Sequence, residues 1–204
     1  MKKEFISPEQ LRDSALKLVH KMHKEDGFVP DIIYVSLRGG AYMGNVFSEY
    51  YKLIRNQAGD RPVFYAAVVA RSYENMKMEN EVRIDGWTYS PEFLRTGDKV
   101  LIVDDIFDTG KTVNALVGVV LAKGIPREDI KVAVFDYKVA NYKTEPRLPI
   151  QPDYYCRIHI LDSIDDESWI HYMNHEFIGL TAKEIDQQYK DEEVKEILHE
   201  VRRD

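Results

Sequence analysis

The sequence predicts an α/β protein: a doubly wound, mainly parallel sheet with helices on both faces. Three observations carry this. Short apolar runs alternate with segments of helical spacing along the chain. Those runs are apolar throughout, as strands buried on both faces are, rather than alternating polar and apolar. Two glycine-containing turns, at residues 36–40 (SLRGG) and 104–112 (DDIFDTGKT), each follow such a run. That places them at carboxyl ends of strands, where open α/β sheets gather their ligands.

The elements follow in order. Ser7, Pro8 and Gln10 form a helix start with a cap, a proline at the first helical position and a capping box. Leu11, Ala15, Leu18, Val19 and Met22 repeat at helical spacing, and Gly27 and Pro30 end the segment. Residues 31–36 (DIIYVS) read as a buried strand, the LRGG turn follows, and a second helix is expected over 41–54. Residues 63–70 read as another strand. Residues 71–91 are polar with scattered aromatics and no long period, which suggests a mobile loop with a small hairpin. A strand over 99–103 leads into the second turn. A helix over 112–123, closed by Gly124, and a strand over 130–135 come next. Thr181 and Glu184 form a second capping box, opening a charged helix expected to run past Tyr189. No internal repeat or low-complexity linker interrupts the chain, so its 204 residues are expected to form one domain.

Composition excludes several classes. The chain is 44% hydrophobic and 31% charged, an ordinary globular balance. Its net charge of −7 argues against sequence-independent nucleic-acid binding, which depends on basic patches. A single cysteine, Cys156, allows no internal disulfide and reads as a small buried hydrophobe. The N-terminal stretch lacks the apolar core of a signal peptide, and apolar runs such as 64–70 are too short to span a bilayer. The expectation is a soluble cytoplasmic protein without a nucleic-acid or membrane partner.

The stretch VLIVDDIFDTGKT, residues 100–112, combines features that conflict for a simple anion site. Gly110 allows close backbone approach, the following helix begins with unpaired N–H groups, and Thr109 and Thr112 add hydroxyls. Two carboxylates, Asp104 and Asp105, stand a few residues away. A nucleoside-triphosphate loop is a poor match, because its first glycine would fall at Asp105. Taken alone, DTGKT fits a plain turn capped by Asp108 as well as it fits a phosphate loop. A sugar phosphate reconciles the carboxylates with the loop: ionised aspartates accept hydrogen bonds from vicinal hydroxyls while the loop holds the phosphate. Ribose 5-phosphate has both features.

This stretch closely resembles the phosphoribosyl-pyrophosphate signature of type I phosphoribosyltransferases, above all the 6-oxopurine branch acting on hypoxanthine, guanine or xanthine. The resemblance covers about residues 31–176. It implies the fold of that family, with a small hood and base-binding segment at about 139–180 and a flexible loop; the capping box at Thr181 adds a C-terminal helix at about 181–204. It implies that Asp104, Asp105, Thr109, Gly110, Lys111 and Thr112 hold ribose and 5-phosphate, and that Asp108 faces the purine as the catalytic base. The turn after the early strand would bind pyrophosphate through Leu37, Arg38 and Gly39, with a non-proline cis peptide between Leu37 and Arg38. Ser72 and Tyr73 resemble the Ser-Tyr pair of the family's flexible loop, which keeps water from the reacting centre.

On the base side, the resemblance places Lys138 on the purine 6-oxygen. Lys138 can donate to a keto oxygen but cannot accept from an amine. Trp169 would stack on the purine and the Ile170 carbonyl would read the ring edge. Glu176 falls where relatives carry an aspartate for a second magnesium, although YMNHE departs from the shorter family pattern and the expected pyrophosphate-binding arginine beyond it has no clear match. Asp104 and Asp105 are the other candidate carboxylates for Mg2+. His171 and His175 stand four apart but lack the zinc-protease pattern and read as ordinary polar residues. The implied activity is purine salvage from phosphoribosyl pyrophosphate and a free base, in a homodimer or homotetramer. Two rivals are a phosphoribosyltransferase for another base and a non-catalytic ligand-sensing regulator of the same fold.

Overall fold

The computed structural model describes residues 2–74, 77–144 and 146–202, apart from the side chains of 71–81. It divides into two compact units. The larger runs from Glu9 to Glu167; the smaller joins the segment up to Pro8 with the chain from Ser168 onward.

The larger unit is built on a six-stranded sheet in the order β4-β3-β2-β5-β6-β7. Its strands are β2 (Ile32–Leu37), β3 (Phe64–Glu74), β4 (Lys77–Trp87), β5 (Val100–Phe107), β6 (Ile130–Ala140) and β7 (Tyr154–Leu161). All adjacent pairs are parallel except β3 with β4, which form an antiparallel hairpin over much of the stretch expected to be a mobile loop.

Three helices, α1 (Pro8–Glu25), α2 (Gly40–Ala58) and α3 (Lys111–Leu121), accompany the sheet. Side-chain alternation along β2 separates its two faces. Ile32 and Tyr34 join a core with Val113, Leu116, Val117 and Val120 of α3. Val35 faces the other way, against Gly44 of α2, where a Cβ would overlap it. The predicted doubly wound sheet is therefore present, and the buried apolar strands follow from being covered on both faces. Val100, Leu101, Ile102 and Val103 are all fully buried.

One charged cluster is buried here too. Asp136 on β6 has no exposure and accepts from Arg157 Nε at 2.6 Å and lies 2.7 Å from His159 Nε2, tying the edge strand β7 to its neighbour. Burial pushes the half-buried Cys156 thiol up to about 12, with the Asp136 charge adding to it. That leaves Cys156 an unreactive thiol at neutral pH.

The smaller unit contains a two-stranded parallel sheet of β1 (Lys2–Ile6) and β8 (Ser168–Tyr172), which pairs Lys3 with Trp169 and Glu4 with Ile170. Its C-terminal segment forms two helices where a single one was expected: α4 (Ala182–Gln188) and α5 (Glu192–Val201). The break follows from local chemistry. Tyr189 turns extended, and the Asp191 carboxylate accepts from Val194 N, starting a new helix. The Thr181–Glu184 capping box is present at the start of α4. Among the described residues no helix is long and apolar enough to cross a membrane.

Candidate active site

β2 and β5 are neighbours, yet their connections leave in opposite directions: β2 runs through α2 to β3, and β5 through α3 to β6. The crevice of an open α/β sheet lies at such a reversal. Both turns singled out by sequence meet there. The Leu37–Arg38 peptide is cis, Arg38 is exposed, and α2 begins immediately after Gly39. A Cβ on Gly39 would overlap the Asp105 carboxylate, and one on Gly40 would meet the Val103 carbonyl and Asp104 Cα. The Leu37-Arg38-Gly39 turn and the Asp104–Asp105 pair thus form one surface, and the absence of side chains at both glycines lets them close.

The pair is electrostatically loaded. Asp104 is 8% exposed, whereas Asp105 is half-buried. The amide of Asp105 donates to Asp104 Oδ1 at 3.0 Å, and that of Ile106 to Asp105 Oδ1 at 2.8 Å. Burial, then the neighbouring Asp105 charge, push the Asp104 carboxyl well above the ordinary carboxylate range; the amide and Ser36 oppose this only in part. Two adjacent carboxyls under this stress suit groups that relieve it, such as hydroxyl donors or a hard cation with oxygen ligands.

The loop after β5 is shaped for an anion. Gly110 sits at φ 74°, in the left-handed region, with its Cα against the Phe107 ring, so a side chain is disfavoured twice. The first turn of α3 has no acidic residue and its N-cap makes no side-chain hydrogen bond. That leaves the helix's positive end uncancelled. Thr109 Oγ1 accepts from Lys111 N at 3.4 Å, and both Asp108 and Thr109 are exposed.

A cleft of about 610 Å³ opens on this loop and is lined by Asp108, Thr109, Lys111, Lys138, Lys143 and Arg147 among others. Lys138, on β6, therefore shares a cavity with the loop. Its ammonium donates to Glu167 Oε2 at 3.0 Å, and Tyr142 OH donates to Glu167 Oε1 at 2.8 Å. Desolvation raises the Glu167 carboxyl, but the bonds from Tyr142 and Lys138 outweigh it and hold the group below its ordinary range. The same pairing pushes the Tyr142 hydroxyl up to about 12.

Asn114 braces the loop from below. Its Nδ2 donates to the Gly110 and Ile150 carbonyls, each at 2.9 Å, and its Oδ1 accepts from Ile150 N at 3.0 Å. Sequence reasoning missed both Asn114 and Glu167. A poor helix former just inside α3 was the available signal for Asn114; Glu167 had none.

The remaining candidates are divided between the two units. The backbone of Ser72 and Tyr73 belongs to β3, and their side chains lie outside the described residues. In the smaller unit, Trp169 is 53% exposed and Ile170 is buried. Glu176 accepts from Tyr172 N at 3.2 Å and stands 3.6 Å from His171 Nδ1, so its carboxylate is engaged within its own turn. His175 stacks on Tyr172. Among the described residues, no group of three His, Cys, Asp or Glu side chains converges as a metal-holding set.

Comparison with known proteins agrees with this geometry. The family model of the phosphoribosyl transferase domain matches residues 9–164. The hypoxanthine-guanine phosphoribosyltransferase of Canis lupus familiaris is 30% identical over 121 residues, 59% of this chain and 55% of the dog protein, so the match spans little more than half of that relative. The crystal structure of a purine phosphoribosyltransferase from Pyrococcus horikoshii is similar with a TM-score of 0.62 and 22% identity, over 89% of this chain and 99% of that one. A hypothetical protein from Neisseria gonorrhoeae with bound ppGpp has a TM-score of 0.59 and 17% identity, over 99% of this chain and 98% of that one. Likeness at these two identities is a likeness of fold.

Proposed function

Because the chain belongs to the phosphoribosyl transferase family, we propose that it moves 5-phosphoribose from phosphoribosyl pyrophosphate to a 6-oxopurine, releasing pyrophosphate. One observation carries the reading: at the carboxyl end of β5 a buried carboxyl pair packed on the Leu37-Arg38-Gly39 turn is followed by a helix start, free of acidic residues in its first turn, that opens on a cleft shared with Lys138.

Asp104 and Asp105 accept the ribose hydroxyls, while Thr109, Gly110, Lys111 and Thr112 receive the 5-phosphate at the start of α3. Leu37, Arg38 and Gly39 hold the pyrophosphate. Bound magnesium would supply charge that neutralises this leaving group, and the all-oxygen donor set of Asp104 and Asp105 suits it. The C1′–oxygen bond to pyrophosphate breaks, a purine nitrogen bonds to C1′, and Asp108 takes the proton from N7. Lys138 donates to the 6-oxygen. The roles of Trp169, Ile170, Glu176, Ser72 and Tyr73 rest on the sequence resemblance.

A panel assay tests this. The protein is incubated with phosphoribosyl pyrophosphate, magnesium and, separately, hypoxanthine, guanine, xanthine, adenine, uracil or orotate. Nucleotide from one or more of the three oxopurines is expected; nucleotide from uracil or orotate alone overturns the reading. A second reading, a ligand-sensing protein of this fold, is favoured by the likeness to the ppGpp-bound protein over nearly the whole of both chains. Tight ppGpp binding with no turnover of any base would select it.

A further inference from the structure

Lys138 is tied to a carboxylate and, through it, to a phenol, neither of which is among the residues lining the cleft. Glu167 reaches the lysine across the cleft wall from a segment 29 residues further along the chain. Its two oxygens divide their work: Oε2 accepts from Lys138 and Oε1 from Tyr142. Lys143 stands 4.0 Å from Oε1. The side chains of Lys138 and Glu167 are only 9% and 16% exposed, so water competes weakly for the pair. An ammonium on a four-carbon stem is otherwise a loosely aimed donor.

We propose that Glu167, held by Tyr142, is a positioning and specificity residue: it fixes the Lys138 ammonium as a donor toward the cleft and so enforces choice of a 6-oxo over a 6-amino purine. This rests on the proposed transfer reaction. The carboxylate partner fixes the ammonium in place, and an ammonium has no lone pair to accept with. Lys138 then meets a keto oxygen as a donor, while an exocyclic amine finds no acceptor and is left unpaired. An unpaired buried donor is a strong basis for rejection. Tyr142 sets the direction of the carboxylate, so its loss is expected to act in the same sense and more weakly.

The test measures KM and kcat for the base and for phosphoribosyl pyrophosphate in the wild type, Glu167→Gln, Tyr142→Phe, Lys138→Met and the Glu167→Gln/Lys138→Met double variant. Loss of one charge-assisted hydrogen bond corresponds to about a tenfold rise in KM for the oxopurine. Glu167→Gln is expected to show that rise, with donor KM within about twofold of wild type, and a hypoxanthine-to-adenine ratio of kcat/KM lowered by a similar factor. In the Lys138→Met background the same substitution is expected to have no further effect on base KM. A purely structural role would move donor and base parameters together. Unchanged base KM in both Glu167→Gln and Tyr142→Phe, or an equal effect of Glu167→Gln with Lys138 absent, overturns the proposal. Absence of oxopurine turnover in the wild type instead overturns the transfer reaction itself, so the two failures are distinct.

Discussion

Gly39 lies against the Asp105 carboxylate so closely that a methyl group on its Cα would overlap both carboxylate oxygens. Its backbone is right-handed helical, at φ −59° and ψ −45°, so alanine meets no backbone strain there. The obstacle is a side-chain terminus that can rotate. Gly39→Ala is therefore expected to fold, to turn Asp105 away, and to raise donor KM by about tenfold or more. Gly40 meets backbone instead, the Val103 carbonyl and Asp104 Cα. Gly40→Ala is expected to destabilise the protein by about 1–3 kcal/mol. Thermal melts with donor titrations separate the two; equal loss of stability in both variants would contradict the geometry.

Asp104 stores a cost that the proposed sugar ligand would relieve. The carboxyl is buried beside Asp105 and strongly disfavours its charged form. Asp104→Asn removes that charge and is expected to raise the ligand-free Tm by about 2–4 °C. It also removes an ionised acceptor, so donor affinity should fall by about tenfold to a hundredfold. Paired melting and donor-binding curves check both signs.

Asp108 stands exposed at the mouth of the cleft. In its proposed role as base it would matter to the chemical step more than to donor binding. Asp108→Asn is expected to lower kcat by about a hundredfold or more, with donor KM moved by less than about threefold. Equal loss in kcat and in donor affinity would refute that role.

Asn114 satisfies three backbone groups with one amide. Asn114→Ala is expected to cost about 1–3 kcal/mol and to weaken the hold on the 5-phosphate, because the Gly110 carbonyl loses its brace. Donor KM should rise while base KM stays near wild type. A variant with wild-type donor KM would show that the brace is purely structural.

Acid stability carries a signature in the smaller unit. Lys3 donates to Glu184, and with the Thr181 amide holds its carboxyl at about 2, below the ordinary 4.5. A depressed carboxyl contributes stability that is present above the unfolded value and lost as pH falls through the folded one. The stability gap between wild type and Glu184→Gln, about 0.5–1 kcal/mol at pH 7 for the partly exposed pair with Lys3, should shrink as pH falls from 4.5 toward 2. A gap independent of pH would contradict the assignment.

Strands β2, β3, β5 and β6 and both turns were legible because their signals are local, whereas β7 and β8 were not read as strands. Buried apolar runs such as Val100–Val103, glycines where backbones close, and the aspartates of one contiguous stretch all lie within a few residues of each other. β1 was missed: KKEFI is short and charged, and it becomes a strand only by pairing with β8, more than 160 residues away. The single C-terminal helix divided at a cap, Asp191, that looks like one more acidic residue in a charged run. Glu167 and Asn114 were invisible for a third reason. Their partners lie 29 and 36 residues away, and no periodicity encodes a side chain's distant partner.

The reversal between β2 and β5 has an evolutionary corollary. In the proposed reaction the donor's handle is built from the ends of those two strands, whereas the wall that would meet the acceptor begins on β6 and continues through the chain toward Gln151. A lineage can rewrite that wall by insertion or exchange without disturbing the handle. New acceptors are then acquired on an inherited donor, one loop at a time.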